Sequence, residues 1–142
     1  MIPTKETGGA TYDGNKTMDI RCYELHGVRV AEFPKDGDQL GSDAQAIEII
    51  SEASACQPEL IIIPAERFSD DFFRLKTRIA GAFLQKFVTY RTRVVILGDI
   101  SARLDESSSL RDFVRECNAG REIWFMMNLE ELGQKLAHAN QS

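Results

Sequence analysis

The sequence predicts an α/β fold: a single domain in which a β-hairpin precedes alternating helices and strands, with a mostly parallel five-stranded sheet. Segments 18–25 and 28–33 are β-like, and His26 and Gly27 between them suit a tight hairpin turn, because Gly adopts positive φ without strain. Three short continuous apolar runs follow, as strands covered on both faces require. These runs are 60–63, 94–97 and 123–127. Segments with helical periodicity separate the runs, so right-handed crossovers between parallel strands are expected.

The N-terminal segment 1–17 is predicted to lie outside the folded domain. It is polar and has few large apolar side chains, so burial cannot offset the entropy lost on ordering it. We therefore expect a disordered tail over 1–17 and one α/β domain over 18–138.

Two helices follow the hairpin in the predicted order. The first begins after Ser42, because Ser42 and Gln45 have the spacing of a capping box, and it ends before Pro58. The second is predicted over 77–90, where large apolar residues recur at helical spacing. These residues are Ile79, Phe83, Phe87 and Tyr90.

Two further helices are predicted in the C-terminal part. The serine run 107–109 is typical of a helix N-cap, with Ser109 and Asp112 completing a box and Gly120 closing the helix. The last helix is predicted to begin at Asn128, with Glu131 in its first turn.

Composition and charge exclude several classes of protein. The net charge of −5 argues against a surface that binds nucleic acid as a whole. No apolar run approaches the roughly 18 residues of a membrane span, and the first residues lack the apolar stretch of a signal peptide. We expect a cytoplasmic protein without a membrane or nucleic-acid partner.

The three cysteines are far apart in the sequence and form no Cys-x-x-Cys pair. Cys22, Cys56 and Cys117 each have apolar neighbours. We expect them to be small buried side chains in a reducing compartment.

Several catalytic and cofactor motifs are absent from the sequence. There is no Gly-x-Gly-x-x-Gly, no Gly-Lys-Ser/Thr loop and no Gly-x-Ser-x-Gly elbow. The two histidines, His26 and His138, are too distant in sequence to indicate a zinc site or a triad. We expect no metal and no cofactor, and a binding protein rather than an enzyme.

Asp99 is the leading single polar candidate. It follows a buried parallel strand, where open α/β sheets place their ligand crevice. The alternative is that Asp99 caps its own turn with Ser101. Arg121, beside the helix end at Gly120, is either a second ligand anchor or a solvated side chain.

The segment 67–93 is basic, with seven cationic and two acidic residues and a local charge of +5. It indicates either a face that binds an anion or acidic partner, or a solvated helix face with local salt bridges. The cations are Arg67, Arg74, Lys76, Arg78, Lys86, Arg91 and Arg93.

Three stretches carry a resemblance to a known family. They are HGVRVAEF, DDFFRLKTRIAGAFLQKFVTYRTRVVILGDIS and SSLRDFVRECNAGREIWFMMNLEEL. Together they resemble the bacterial domain of unknown function family 4180 over about residues 20–136. The resemblance implies the family's fold and no particular activity.

The order of elements also resembles the STAS fold of anti-sigma-factor antagonists. In that family an Asp-Ser-Ser-Gly motif precedes the second helix, and phosphorylation of its Ser breaks a partner complex. The segment 69–72 occupies this place, with Asp70 matching the motif's Asp and Asp71 standing where the Ser would be. The resemblance implies a regulatory module, with a permanent negative charge at Asp71.

The leading functional hypothesis is a binding or regulatory module that docks a protein partner through segment 66–78. Arg74, Lys76 and Arg78 would contact the partner, and Asp71 would help to exclude others.

The alternative is a small-ligand or enzymatic site at the carboxyl ends of the strands. Asp99 would anchor a small anionic ligand or act as acid or base, helped by Arg74 or Arg121. A homodimer through the exposed edge of the hairpin is a further expectation.

Overall fold

The structure is a computed structural model that describes residues 20–140. Its five-stranded sheet has the order β1-β2-β3-β4-β5, in which β1 is antiparallel to β2 and the other neighbours are parallel. This confirms the predicted α/β domain and mixed sheet. The strands are β1 (Arg21–Leu25), β2 (Val28–Glu32), β3 (Leu60–Pro64), β4 (Arg93–Leu97) and β5 (Ile123–Met126). The tail predicted over 1–17 lies outside the described residues.

Six α-helices connect and flank the strands within the described residues. They are α1 (Asp43–Ala53), α2 (Asp70–Phe73), α3 (Ile79–Thr89), α4 (Ser101–Glu106), α5 (Ser108–Ala119) and α6 (Leu129–Asn140). The predicted helix 77–90 is shorter than expected, because Arg78 has a left-handed φ of 66° and a separate 3-10 turn covers Leu75–Thr77. Helix α4 was not predicted, since its sequence has little apolar periodicity.

The sheet separates two apolar cores, as the continuous apolar runs predict. Side chains of β3 alternate between the faces, with Ile61 and Ile63 on one side and Leu60 and Ile62 on the other. Helices α1, α3 and α5 cover the first face, and Leu132 and Leu136 of α6 lie on the second. Among residues 20–140, no helix is long and apolar enough to cross a bilayer.

The observed helix N-caps match the predicted N-caps at two positions and differ from them at one. Ser42 and Gln45 form the predicted capping box, and Asn128 accepts a hydrogen bond from the Glu131 N–H at 2.8 Å. The predicted box starting at Ser109 is wrong, because Ser107 caps α5 and accepts from the Leu110 N–H. Three consecutive serines made the choice ambiguous from sequence alone.

The expectation of three reduced cysteines is wrong for two of them. Cys22, exposed on β1, forms a disulfide with Cys56 at the end of the 3-10 turn after α1, with Cα atoms 5.6 Å apart. The fold brings the two together, although they are 34 residues apart in sequence. Cys117 is free and half-buried, and burial raises the pKa of its thiol to about 11.

A side-chain amide closes the outer edge of β5. The carbonyls of Glu122 and Met126 accept hydrogen bonds from β4 and from the turn that follows it. Because backbone groups of successive residues point to opposite sides of a strand, the N–H and carbonyl of Phe125 point away from β4. Asn118 accepts from the Phe125 N–H at 2.7 Å and donates to the Phe125 carbonyl at 3.3 Å. Glu131 accepts from the next outward N–H, that of Met127, at 2.7 Å. These two side chains form hydrogen bonds with backbone N–H and carbonyl groups that would otherwise be free to pair with another strand.

Replacing Asn118 by Leu is expected to lower the free energy of unfolding by about 1–3 kcal/mol and to promote self-association. The substitution leaves the Phe125 N–H and carbonyl without their partner. Urea unfolding and light scattering measure the two effects, with Asn118→Asp, which keeps an acceptor, as the milder control. An Asn118→Leu protein as stable and as monodisperse as wild type would contradict this role.

Candidate functional site

A cleft lies at the carboxyl ends of β3 and β4, where open α/β sheets place their ligand sites. One wall is the segment 70–76 and the other is formed by α4 and the start of α5. The cleft volume is about 740 Å³, and a depression of about 620 Å³ adjoins it. Asp70, Arg74 and Arg103 line both cavities.

Arg103, on the α4 wall, contacts the opposite wall of the cleft. Its guanidinium lies 2.7 Å from the Asp70 carboxylate and 4.4 Å from the ring centre of Phe73. The Phe73 ring in turn packs edge-on against Phe68 and Phe72 in the core. These contacts connect α4 to α2.

The rim on the 70–76 side carries exposed charges. Arg74 and Asp71 form a salt bridge of 3.1 Å, and both side chains are more than half exposed. The Thr77 hydroxyl donates to the carbonyls of Asp71 and Arg74, each at 2.8 Å, which holds the turn that presents Arg74. Lys76 is exposed and forms no ion pair within the described part of the chain.

The opposite wall contains the first residues of α5. Ser107 and Ser109 line it beside Glu106. The amino end of a 12-residue helix carries a partial positive charge, so this wall favours acidic groups, while Glu106 lies beside it. No His or Cys lines the cleft. Across residues 20–140, no group of three or more His, Cys, Asp or Glu could hold a metal ion.

Asp99 lies at the same end of the sheet but does not line the cleft. It is exposed and accepts hydrogen bonds from the Ser101 N–H, at 2.9 Å, and from the Ser101 hydroxyl. These bonds lower the pKa of the Asp99 carboxyl. The predicted turn between Asp99 and Ser101 is therefore confirmed.

Arg121 is not placed to assist Asp99. It precedes β5, whereas Asp99 follows β4, and the strands are parallel, so the two lie at opposite ends of the sheet. At about 3.3 Å per residue of strand, they are roughly 20 Å apart. The predicted pairing of these two residues is wrong.

The basic segment divides among four places and does not form one face. Arg74 and Lys76 line the cleft, Arg78 is exposed outside it, and Arg67 is buried under the loop that follows β2. Arg93 starts β4 and lies at the other end of the sheet. The sequence indicated the 70–76 wall and the serine run 107–109 as a helix start, but it did not indicate Arg103 and Glu106 as cleft residues, because α4 has no pattern that marks it.

Comparison with known proteins identifies one family. Its sequence profile, described as "Domain of unknown function (DUF4180)", matches residues 25–136. No curated protein and no solved structure matches significantly.

Proposed function

Because the chain belongs to the DUF4180 family, whose description assigns no activity, we propose from the geometry that it is a non-catalytic, STAS-like regulatory module of the bacterial cytoplasm. Its cleft docks a segment of a protein partner. The observation that carries this proposal is the cleft at the carboxyl ends of the strands, with exposed cations on its rim.

An acidic partner segment fits the cleft best. Arg74 and Lys76 on one wall and the amino end of α5 on the other favour negative groups, although Asp71 and Glu106 limit how many. The aliphatic side chain of Leu75 offers apolar contact between the charges. A mixed surface of this kind is typical of protein interfaces, which combine a few apolar anchors with a polar rim.

The likeness to the STAS fold supports the same surface. Segment 69–72, which corresponds to that family's regulatory motif, covers the N-cap and the first three residues of α2 and leads into the cleft wall. Asp71 is exposed and paired with Arg74, so its negative charge offsets part of the positive charge that Arg74 would present to the partner.

Charge reversal at the cleft is expected to abolish partner capture, whereas reversal just outside it is not. Arg74→Glu and Lys76→Glu would each weaken binding by about tenfold or more, since each turns a charge-assisted contact into repulsion. Arg78→Glu is the matched control, because Arg78 lies on the same segment but outside the cleft. Affinity capture from the native lysate with quantitative mass spectrometry compares the three variants with wild type.

The pattern of capture among the three variants tests where the partner binds. Capture lost with the two cleft variants and kept with Arg78→Glu supports docking in the cleft. Equal capture by all four proteins contradicts the proposal. Loss with Arg78→Glu as well moves the interface from the cleft to the outer surface of the segment.

The alternative function, a small-ligand or enzymatic site around Asp99, is kept as a second proposal because Asp99 lies at the carboxyl end of β4. Asp99→Asn keeps an acceptor for Ser101 and removes the charge. Thermal-shift screening of anionic and cationic metabolites against wild type and Asp99→Asn tests it. A metabolite that stabilises only wild type favours this alternative.

A further inference from the structure

The amino ends of β4 and β5 carry a group of cations far from the cleft. Arg93 begins β4, Arg121 lies two residues before β5, and Lys135 reaches the same region from α6. Arg93 and Lys135 each lie over the ring of Trp124, the only tryptophan of the chain, and the Arg121 carbonyl accepts a hydrogen bond from Arg93. This group lies at the end of the sheet opposite the cleft, so it is independent of the proposed function.

Arg93 is held in one orientation. Its Nε donates to the Arg121 carbonyl at 2.9 Å, and its guanidinium lies 4.8 Å from the ring centre of Trp124. The Lys135 ammonium lies 4.9 Å from the same ring centre, so the two cations are within about 10 Å of each other. Because the Nε is used for the backbone contact, the two terminal nitrogens of Arg93 are left for another partner.

The positive charge of Arg93 is not neutralised by a salt bridge within the described residues. Glu59 is the acidic side chain whose charge reaches Arg93, and Arg29 already pairs with it at 3.2 Å. Burial and the charge of Arg121 both lower the pKa of the Arg93 guanidinium, as expected for cations that repel each other. Within residues 20–138, Arg93, Arg121 and Lys135 form no salt bridge.

We propose that Arg93, Arg121 and Lys135 form a binding site for the phosphate group of a small molecule. A guanidinium presents paired N–H donors that match two phosphate oxygens, and Lys135 supplies a further charge. The hydrogen bond and stacking contact that already fix Arg93 reduce the entropy lost on binding. An added phosphate would also relieve the repulsion between the two guanidinium groups.

Trp124 provides a direct readout of binding. Because it is the only tryptophan and contacts two of the cations, its fluorescence should change as pyrophosphate is titrated into the full-length protein. Arg121→Gln and Lys135→Gln should each weaken the binding by about tenfold or more. Arg121→Gln preserves the hydrogen bond that positions Arg93, since Arg121 accepts it through its backbone carbonyl, whereas Lys135→Gln also removes the contact of the ammonium with the Trp124 ring.

Lys35→Gln is the control, because it removes one positive charge from the loop after β2, at the other end of the sheet. It should bind pyrophosphate as wild type does. Isothermal titration calorimetry of the same four proteins checks that the fluorescence change reports binding. Sodium chloride at matched ionic strength must leave the fluorescence unchanged.

The source of the phosphate is distinguished by three probes: pyrophosphate, a mononucleotide and a single-stranded DNA oligomer. Saturable binding of either small probe that is lost with Arg121→Gln and Lys135→Gln supports the site. Binding of the oligomer alone overturns it in favour of a nucleic-acid contact. No saturable change at about 1 mM of either small probe, or equal weakening by Lys35→Gln, also overturns it.

Discussion

Reduction of the Cys22–Cys56 disulfide is expected to lower the free energy of unfolding by about 3–4 kcal/mol. The bond closes a loop of 34 residues, and the chain-entropy relation assigns about that value to such a loop. For roughly 120 ordered residues, this corresponds to a fall in Tm of about 10–15 °C. The effect is large because the bond restricts the unfolded chain and also fastens the outermost strand of the hairpin to the end of α1.

Urea unfolding with and without a thiol reductant measures the difference. The variant with both Cys22→Ser and Cys56→Ser should match the reduced wild type in either buffer. Cys117→Ser should respond to the reductant as wild type does, since Cys117 is outside the bond. Wild type with equal stability in both buffers would show that the disulfide contributes nothing.

The same bond bears on where the protein works. Disulfides persist in oxidising compartments and are rare in the reducing cytosol, so the bond counts against the cytoplasmic location that we propose. Alkylation of thiols in freshly lysed cells, followed by mass spectrometry, gives the state of Cys22 and Cys56 in the native compartment. Two alkylated cysteines agree with the cytoplasm, and an intact bond requires an oxidising environment.

Elements that depend on nearby residues were predictable from sequence. The apolar runs located β3, β4 and β5, and the spacing of Ser42 and Gln45 located the start of α1. Such features depend on residues within a few positions of each other, so the sequence displays them directly. The same kind of reasoning identified the turn formed by Asp99 and Ser101.

Contacts between distant segments were not predictable from sequence. Arg103 reaches Asp70 across more than thirty residues, and no local pattern marks either as half of a pair. Asn118 lies in the last turn of α5, and its side-chain amide pairs with the edge of β5 by a geometry that only the fold defines. The cleft was therefore located on one wall only, through segment 66–78.

The assignment of Arg67 to a basic binding surface is wrong. Arg67 stood among seven cations of an apparent basic surface, but its side chain is only 8% exposed. Its guanidinium donates to the Pro34 carbonyl at 3.0 Å and to the Asp38 carbonyl at 3.1 and 3.0 Å. Gly37 passes so close that a Cβ there would lie 2.7 Å from the guanidinium. Arg67 therefore holds the loop after β2 and is not part of a binding face.

Replacing Arg67 by Met is expected to lower the free energy of unfolding by about 3 kcal/mol, because it removes charge-assisted hydrogen bonds and leaves the Pro34 and Asp38 carbonyls without this donor. Met keeps much of the aliphatic volume, so the loss reports the hydrogen bonds rather than a cavity. Urea unfolding gives the magnitude, and hydrogen exchange should show faster exchange at the Leu40 N–H, which donates to the Arg67 carbonyl. Arg78→Met, which changes an exposed arginine in the same way, should leave the free energy of unfolding within about 0.5 kcal/mol of wild type. It should also leave the exchange of the Leu40 N–H unchanged. If the two variants lose equal stability, Arg67 stabilises the fold no more than a surface charge does, and the loop must be held by its backbone alone.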